Sequence, residues 1–128
     1  MGSIVGTCRP GLKRYEMMAQ LPWGSALKAL RAALRGKVIK HIFRPSGRYL
    51  YVVEGPRGRH LVMGGMGCSC LDYYLNVVIR RRRDVCYHIA AVAISEEERT
   101  YRVREHRDPE FIGVVKRALS SEGLDPDP

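Results

Sequence analysis

Four residues in two closely spaced pairs constrain the fold of this chain more than any other feature. Cys68-Ser69-Cys70 forms a C-x-C pair, and after fifteen intervening residues Cys86-Tyr87-His88 forms a C-x-H pair. Three thiolates and one imidazole complete a tetrahedral Zn²⁺ shell and leave no coordination position for a substrate. The spacing therefore predicts one structural zinc ion, bound by Cys68, Cys70, Cys86 and His88, that ties a loop to the start of a helix.

Alternative roles for the cysteines and histidines remain open from the sequence. The pairs could be unrelated core residues, or Cys8 could replace His88 as the fourth ligand. Cys8 could also be a buried apolar residue or a free thiol. We expect His41 and His60 to be ordinary strand residues, and His106 to be a solvated residue of a charged linker.

The ligand pattern resembles that of the SWIM-type zinc finger, whose signature is C-x-C-xₙ-C-x-H. A hairpin-like stretch over 49–66 precedes the first pair, and the apolar run 86–94 resembles the short helix that follows C-x-H in that family. The Cys-x-Cys-Leu71-Asp72-Tyr73-Tyr74 stretch is most similar to the small SWIM proteins that partner RecA-type recombinase paralogues in archaea and eukaryotes. Those proteins usually have proline where Leu71 stands.

The length of 128 residues predicts a single domain over 1–128, within which the resemblance places the SWIM finger at 48–95. We expect the tail 124–128 to be mobile; whether Met1-Gly2-Ser3 is native stays open. No apolar run reaches the roughly 18 residues needed to cross a bilayer, and no signal-peptide core is visible. These observations predict a soluble, cytoplasmic protein with no membrane partner, in which the cysteines bind metal rather than form disulfides.

The remaining pattern predicts an α+β fold built on a small antiparallel sheet. Strands are expected at 38–44, 49–54 and 60–63, which form a meander, with a possible later strand at 100–104. Helices are expected at 25–35, 73–82 and 108–121, the first capped by Ser25 and the last by Asp108, and the resemblance implies a further helix at 86–94. Leu27, Leu30 and Leu34 share one face of the first helix, which should rest on the core. Glu96–Glu98 should form an exposed turn.

The chain carries a formal net charge of +9. Three zinc-bound thiolates and one Zn²⁺ lower this by one, to about +8, which suits a polyanionic or acidic partner. Four consecutive arginines, Arg80, Arg81, Arg82 and Arg83, lie between the ligand pairs. They form either a solvated loop or a surface that contacts phosphates, which Arg48, Arg57 and Arg59 would extend. The nearby tyrosines Tyr73, Tyr74 and Tyr87 either stack on bases or pack in the core. We expect non-specific binding, to DNA rather than RNA.

Several catalytic classes lack their signatures. Gly64-Gly65-Met66-Gly67 lacks the Lys-Ser/Thr of a Walker loop, and His88 is not followed by the glutamate of a zinc deaminase. We therefore expect no catalysis and no small-molecule substrate. The resemblance implies a DNA-binding or protein-interaction adaptor, with a RecA-like ATPase as partner in DNA recombination and repair. The alternatives are a stand-alone nucleic-acid-binding protein and a transcription-linked zinc module.

Overall fold

The computed structural model describes residues 14–55, 58–63 and 67–120, which form an α+β fold. Its helices are α1 (Arg14–Ala19), α2 (Trp23–Leu34), α3 (Tyr87–Glu98) and α4 (Phe111–Leu119). Its strands are β1 (Val38–Arg44), β2 (Tyr49–Gly55), β3 (Gly58–Met63), β4 (Gly67–Cys68) and β5 (Arg102–Arg107). A π-helix (Tyr73–Ile79) precedes α3, and a 3₁₀ turn (Asp108–Glu110) precedes α4. Every helix in these ranges is too short or too polar to cross a bilayer.

The five strands form one sheet in the order β4-β3-β2-β1-β5. The predicted meander is confirmed: β1, β2, β3 and β4 pair antiparallel in succession. The later strand is also present, but it covers residues 102–107 rather than 100–104 and pairs parallel with β1. The sheet is therefore mixed rather than purely antiparallel, and β5 is largely exposed at its edge instead of half-buried.

Successive residues of the sheet contribute to two separate cores, because strand side chains alternate between faces. Tyr51 and Val53 pack into a larger core with α1, α2 and α3. Leu50 and Val52 pack into a smaller core with Val114 of α4. The molecule thus has three layers: α1, α2 and α3 on one face, the sheet, and α4 on the other.

Several helix boundaries differ from the sequence prediction. α2 begins at Trp23 with Pro22 as its N-cap, whose carbonyl accepts the Ala26 amide at 2.9 Å, so Ser25 is not the cap. α3 continues through the predicted turn at Glu96–Glu98, and its C-cap is Arg99, whose φ is +57°. The predicted helix over 73–82 is a π-helix that ends at Ile79, where the Arg80 amide donates to the Leu75 carbonyl at 2.9 Å.

Asp108 was also predicted to cap the last helix, and its carboxylate has a different partner. It accepts hydrogen bonds from the Ser46 hydroxyl at 2.7 Å and the Ser46 amide at 3.1 Å, which joins the β1–β2 turn to the chain before α4. α4 begins only at Phe111. The predicted end of the last helix at residue 121 and the tail 124–128 lie outside the described residues.

The orientation of α2 differs from the predicted one. Ala26, Ala29 and Ala33 are the buried residues of this helix, at 7%, 0% and 0% exposure, and they belong to the larger core. Small side chains allow α2 to approach α3 closely, and α3 itself presents Ala90 and Ala91 to that core. The leucine face predicted to be internal is therefore turned outward.

Candidate metal centre

The β3–β4 hairpin delivers the first ligand pair. Val62 pairs with Cys68 at the end of the short strand β4. Ser69 extends this pairing: its amide donates to the Leu61 carbonyl, and its hydroxyl accepts from the Leu61 amide, both at 2.9 Å. The chain then turns sharply at Cys70, whose sulfur accepts the Tyr73 amide at 3.3 Å. These bonds hold the two thiols at one end of the sheet.

The start of α3 delivers the second pair. Cys86 lies at the N-cap with extended backbone angles, and its carbonyl accepts the first helical hydrogen bond from the Ala90 amide at 3.2 Å. His88 lies in the first turn, so both side chains project from one end of the helix. A helix N-terminus favours a thiolate at this position because the unpaired amides carry partial positive charge.

The structure brings all four predicted ligands together. One donor atom from each of Cys68, Cys70, Cys86 and His88 lies within 4.8 Å of every other, and three of the four residues are buried. Cys86 Sγ and His88 Nδ1 are 3.9 Å apart. Donor atoms on a tetrahedral zinc are separated by about 3.6 to 3.8 Å, given ordinary Zn–S and Zn–N bond lengths. The cluster is thus only slightly wider than a zinc shell.

The chemistry of the cluster also fits a metal ion. His88 is 3% exposed, and its Nδ1 lies 3.9 Å from the Cys86 sulfur, so one nitrogen of a buried imidazole is directed into the thiol cluster. Three soft sulfurs with one imidazole is a donor set that suits Zn²⁺. Together, Cys68, Cys70, Cys86 and His88 would fill its tetrahedral coordination.

The protonation of the three thiols depends on their proximity. Hydrogen bonds from Cys68 and Cys86 lower the pKa of Cys70, whereas the bond to Cys70 raises the pKa of Cys68. Burial is the main cause that raises the pKa of Cys86. Without a cation the cluster therefore favours one thiolate and two thiols, because three negative charges this close repel one another. A divalent ion supplies the positive charge that keeps all three deprotonated.

An ion pair closes the loop between the ligand pairs. The Arg83 guanidinium donates to both carboxylate oxygens of Asp72 at 2.7 and 3.2 Å, and also to the Val85 carbonyl at 3.2 Å. Asn76 donates to Asp72 at 2.8 Å. This bidentate pair lowers the pKa of Asp72, chiefly through the hydrogen bond from Arg83. It joins the residues after Cys70 to those before Cys86, a role that the sequence did not indicate for either residue.

Two aromatic rings enclose the ligand imidazole. The His60 ring lies 4.2 Å and the Tyr87 ring 4.0 Å from the His88 ring, measured between centroids. Burial is the main cause that lowers the pKa of His60, which keeps this neighbour neutral beside the ligand. His60 was expected to be an ordinary strand residue. The sequence did contain a signal for this position: His60 and Val62 are two residues apart in β3, so both side chains point to the sheet face that α3 covers.

The other two histidines pair with each other away from this cluster. His41 Nδ1 and His106 Nε2 are 2.8 Å apart, across the β1–β5 pairing. The prediction of a solvated linker was wrong for His106, which lies in β5 and stacks on Phe43 at 5.1 Å. Cys8, the alternative ligand, lies outside the described residues.

The four consecutive arginines occupy different environments. Arg80, Arg81 and Arg82 are exposed, and Arg81 has a φ of +53°. Arg82 is anchored by its amide, which donates to the Asn76 carbonyl at 2.8 Å. Arg83 does not share their exposure, because its side chain binds Asp72 and is 12% exposed.

The additional arginines of the predicted surface lie elsewhere. Arg59 donates to the Arg117 carbonyl at 3.5 Å, so it faces α4, across the sheet from α3. The Arg48 guanidinium lies over the Phe111 ring at 4.6 Å, also against α4. Arg57 lies outside the described residues.

The three tyrosines of the segment are also divided. Tyr73 is buried at 4% exposure, as expected for at least one of them, and Tyr74 is 54% exposed. Tyr87 is half-buried against His88, so its ring supports the ligand.

Comparisons with known proteins agree with this geometry. The chain is 32% identical over 89 residues, 68% of its length, to the zinc finger SWIM domain-containing protein 7 homolog of Dictyostelium discoideum. The match spans 55% of that protein, so the chain covers about half the length of this curated relative. No family model matches the chain. No solved structure matches it either.

Two findings agree on the family. The relative carries the SWIM name, and the structure has a Cys₃His cluster at the C-x-C and C-x-H positions. The chain carries a zinc-binding module and belongs to the SWIM-type zinc finger family.

Proposed function

We propose that this module is a non-catalytic adaptor that contacts nucleic acid through Arg80, Arg81 and Arg82 and binds a protein partner through a separate surface. The observation that carries the proposal is the position of these three exposed arginines between the ligand pairs. Both ends of their loop are attached to the metal centre, so one structural zinc ion, bound by four protein donors, holds the loop in place.

The loop has the features of a preorganised phosphate-binding segment. The Asp72–Arg83 ion pair, with side chains 43% and 12% exposed, brings its two ends together. Gln20 Oε1 accepts the Asp84 amide at 2.7 Å, which attaches the loop to the end of α1. Guanidinium groups held by such contacts lose little conformational entropy when they bind phosphate. No base-reading pattern accompanies them, so the expected binding is electrostatic and non-specific, with DNA as the expected ligand.

The test is a salt titration of binding to labelled single-stranded DNA, duplex DNA and RNA, with fluorescence anisotropy as the readout. Replacement of Arg80, Arg81 and Arg82 by serine should reduce the slope of log K against log salt by about two to three, given roughly 0.7 to 0.9 per phosphate contact. The matched control replaces Arg44, Arg99 and Arg104 by serine, which removes the same charge from other exposed positions.

The two triple variants separate a local contact from a general effect of charge. If both change the slope equally, the loop has no special part in binding and the net charge alone attracts the nucleic acid. If neither changes it, the nucleic-acid half of the proposal is wrong. A chelator should weaken binding in the wild type, because loss of the ion releases the loop although it does not make the chain less basic.

For the protein partner, the resemblance to SWIM proteins suggests a RecA-like ATPase that acts in DNA recombination. Support for an adaptor role comes from the closed ligand set and the basic surface. A stable complex with a RecA-like paralogue on size exclusion at high salt is the expected result. If no RecA-like paralogue of the source organism forms a complex, the proposed partner is wrong. The alternative is then a stand-alone nucleic-acid-binding protein, which the net charge of +9 supports.

A further inference from the structure

α2 carries a row of large apolar side chains on its outer surface. Its members are spaced four, three and four residues apart, so they lie along one side of the helix. Their exposed fractions are 85% for Trp23, 40% for Leu27, 38% for Leu30 and 58% for Leu34. We call these four residues the α2 ridge.

The fold itself does not require the α2 ridge to be apolar. The neighbouring, alanine-lined face of α2 packs into the larger core, and within the described residues none of the four ridge residues belongs to either buried core. A large apolar row exposed at alternating spacings of four and three is the pattern with which a helix receives another helix. An exposed tryptophan at one end is the kind of side chain that dominates binding energy at interfaces.

The charges beside the α2 ridge restrict the occupant. Arg31 and Arg35 follow one flank and Lys28 lies beyond them, whereas α2 contains no acidic residue. A second copy of this chain would place these cations against their own equivalents, which is unfavourable at close range. A helix with acidic side chains next to its apolar stripe would meet the arginines with opposite charge.

We propose that the α2 ridge docks an acidic amphipathic helix of another protein. This inference rests on the adaptor role proposed above, for which it defines the protein-binding surface and the chemistry of the partner. The apolar stripe of the partner covers Trp23, Leu27, Leu30 and Leu34, and its carboxylates pair with Arg31 and Arg35. The loop that carries Arg80, Arg81 and Arg82 and the metal centre take no part in this contact.

The chain provides its own probe, because Trp23 is its single tryptophan. The ligand for the test is a synthetic helix of about three heptads, with leucine at positions a and d and glutamate at the flanking positions. A second peptide has lysine in place of every glutamate. Each is titrated into the zinc-loaded full-length protein while the emission of Trp23 is recorded.

The acidic peptide should shift the emission of Trp23 to shorter wavelength and saturate, since docking removes the indole from water. The lysine peptide should bind at least about tenfold more weakly, because it repels the flanking arginines. The double variant Leu30→Glu, Leu34→Glu should lower the affinity for the acidic peptide by at least about tenfold. Ile112→Glu, at an apolar position that is 62% exposed on α4, should have no effect.

Each contrary result overturns the proposal in a recognisable way. Equal affinity for the two peptides would show that the flanking arginines do not select an acidic partner. No binding of the acidic peptide would show that the α2 ridge does not dock such a helix. A dimer in sedimentation that the double variant dissociates would identify a second copy as the occupant. Trp23 emission already shielded from a soluble quencher in the free protein would show that residues 1–13 or 121–128 cover the ridge.

The peptide result and the nucleic-acid result can fail independently. The double variant should keep its zinc and its salt-dependent binding to DNA, which confirms that it is folded. Conversely, the serine variant of Arg80, Arg81 and Arg82 should bind the acidic peptide as the wild type does. Loss of both activities in either variant would contradict the separation of the two surfaces.

Discussion

The two faces of the central sheet are stabilised by different means. On one face, α1, α2 and α3 build the larger core, and Cys70 and Cys86 belong to it at 6% and 0% exposure. On the other face, α4 covers a smaller core of apolar side chains. It contains Phe43, Leu50, Val52, Leu61, Val114 and Ala118. The first core therefore includes ligand sulfurs that need a cation, whereas the second consists of apolar side chains alone.

This difference indicates how stability is distributed in the molecule. A buried thiol cluster without metal favours two protonated sulfurs and one thiolate, which contributes much less than a metal shell. The α4 face has no such dependence, since apolar burial stabilises it at any metal concentration. Loss of metal should thus destabilise the face with α1, α2 and α3 first, and three measurements test this difference between the faces.

The largest effect is expected when a metal ligand is lost. Cys70→Ser should abolish binding of about one zinc per chain and lower the stability by several kcal/mol, because zinc binding is coupled to folding. We expect Tm to fall by more than about 10 °C. Hydrogen exchange should accelerate in β4 and the first turn of α3 more than in α4.

Ser69→Ala is the matched control, because Ser69 lies between two ligands and, in the part of the chain that the structure describes, bonds to the Leu61 backbone rather than to the cluster. It should keep the zinc and lose about 1 kcal/mol. Equal acceleration of exchange on both faces of the sheet in the Cys70→Ser variant would show that the faces are not separable.

An intermediate effect is expected at Gly67, which precedes the first ligand. Its φ is +109°, and a Cβ added there would lie 2.5 Å from the Tyr73 hydroxyl oxygen. Gly67→Ala should therefore destabilise the protein by about 1 to 3 kcal/mol, because the left-handed backbone and the contact are both unfavourable for alanine. Urea unfolding measures the difference in free energy.

Gly113 on α4 provides the comparison from the other face. It lies within a helix, and a Cβ there meets nothing within 4 Å. Gly113→Ala should stabilise the protein by roughly 0.5 to 1 kcal/mol, through helix propensity alone. A neutral Gly67→Ala variant with unchanged zinc affinity would contradict the close packing of the metal face.

The smallest effect concerns His41 on the α4 face. Burial, followed by the charges of His106, Arg104 and Arg117, lowers its pKa from 6.5 to about 4. The unfolded state therefore binds the proton more readily, so stability is present above about pH 6.5 and is lost as the pH falls towards 4. After allowance for solvent screening, the loss is on the order of 1 kcal/mol.

The variant His41→Gln isolates this contribution, because acid also displaces zinc from thiolates in both proteins. The free-energy difference between the two proteins is measured by urea unfolding at pH 7 and at pH 5, with zinc content recorded at each. The wild type should lose about 1 kcal/mol more than the variant between these pH values. An identical loss in both would rule out His41 as a source of the pH dependence.

Much of the framework was predictable from local patterns. The four ligands and the β1–β2–β3 meander follow from spacing and from residue alternation over a few positions, and the start of α3 follows from the resemblance to the SWIM-type finger. The prediction for α2 was wrong because periodicity identifies an apolar face but not the partner of that face. The alanine face is buried because it packs against α3, which lies more than fifty residues later in the chain.

The contacts of Arg83 and His106 could not be predicted for a related reason. Arg83 was grouped with its neighbours as a phosphate contact, yet Asp72 binds it from eleven residues away. His106 was assigned to a linker, and it reaches His41 only because β5 pairs with β1. In both cases the partner is distant in sequence, and its distance is set by the assembled sheet.

Residue type and spacing are enough to establish the chemistry of this protein: the donor atoms for the metal, the excess of arginine and the alternation of the strands. Which arginines stay in water, which histidines meet and which side of α2 faces outward depend on the folded molecule. Burial and pairing require short distances between segments far apart in the chain, and those distances exist only once the sheet and its helices have packed.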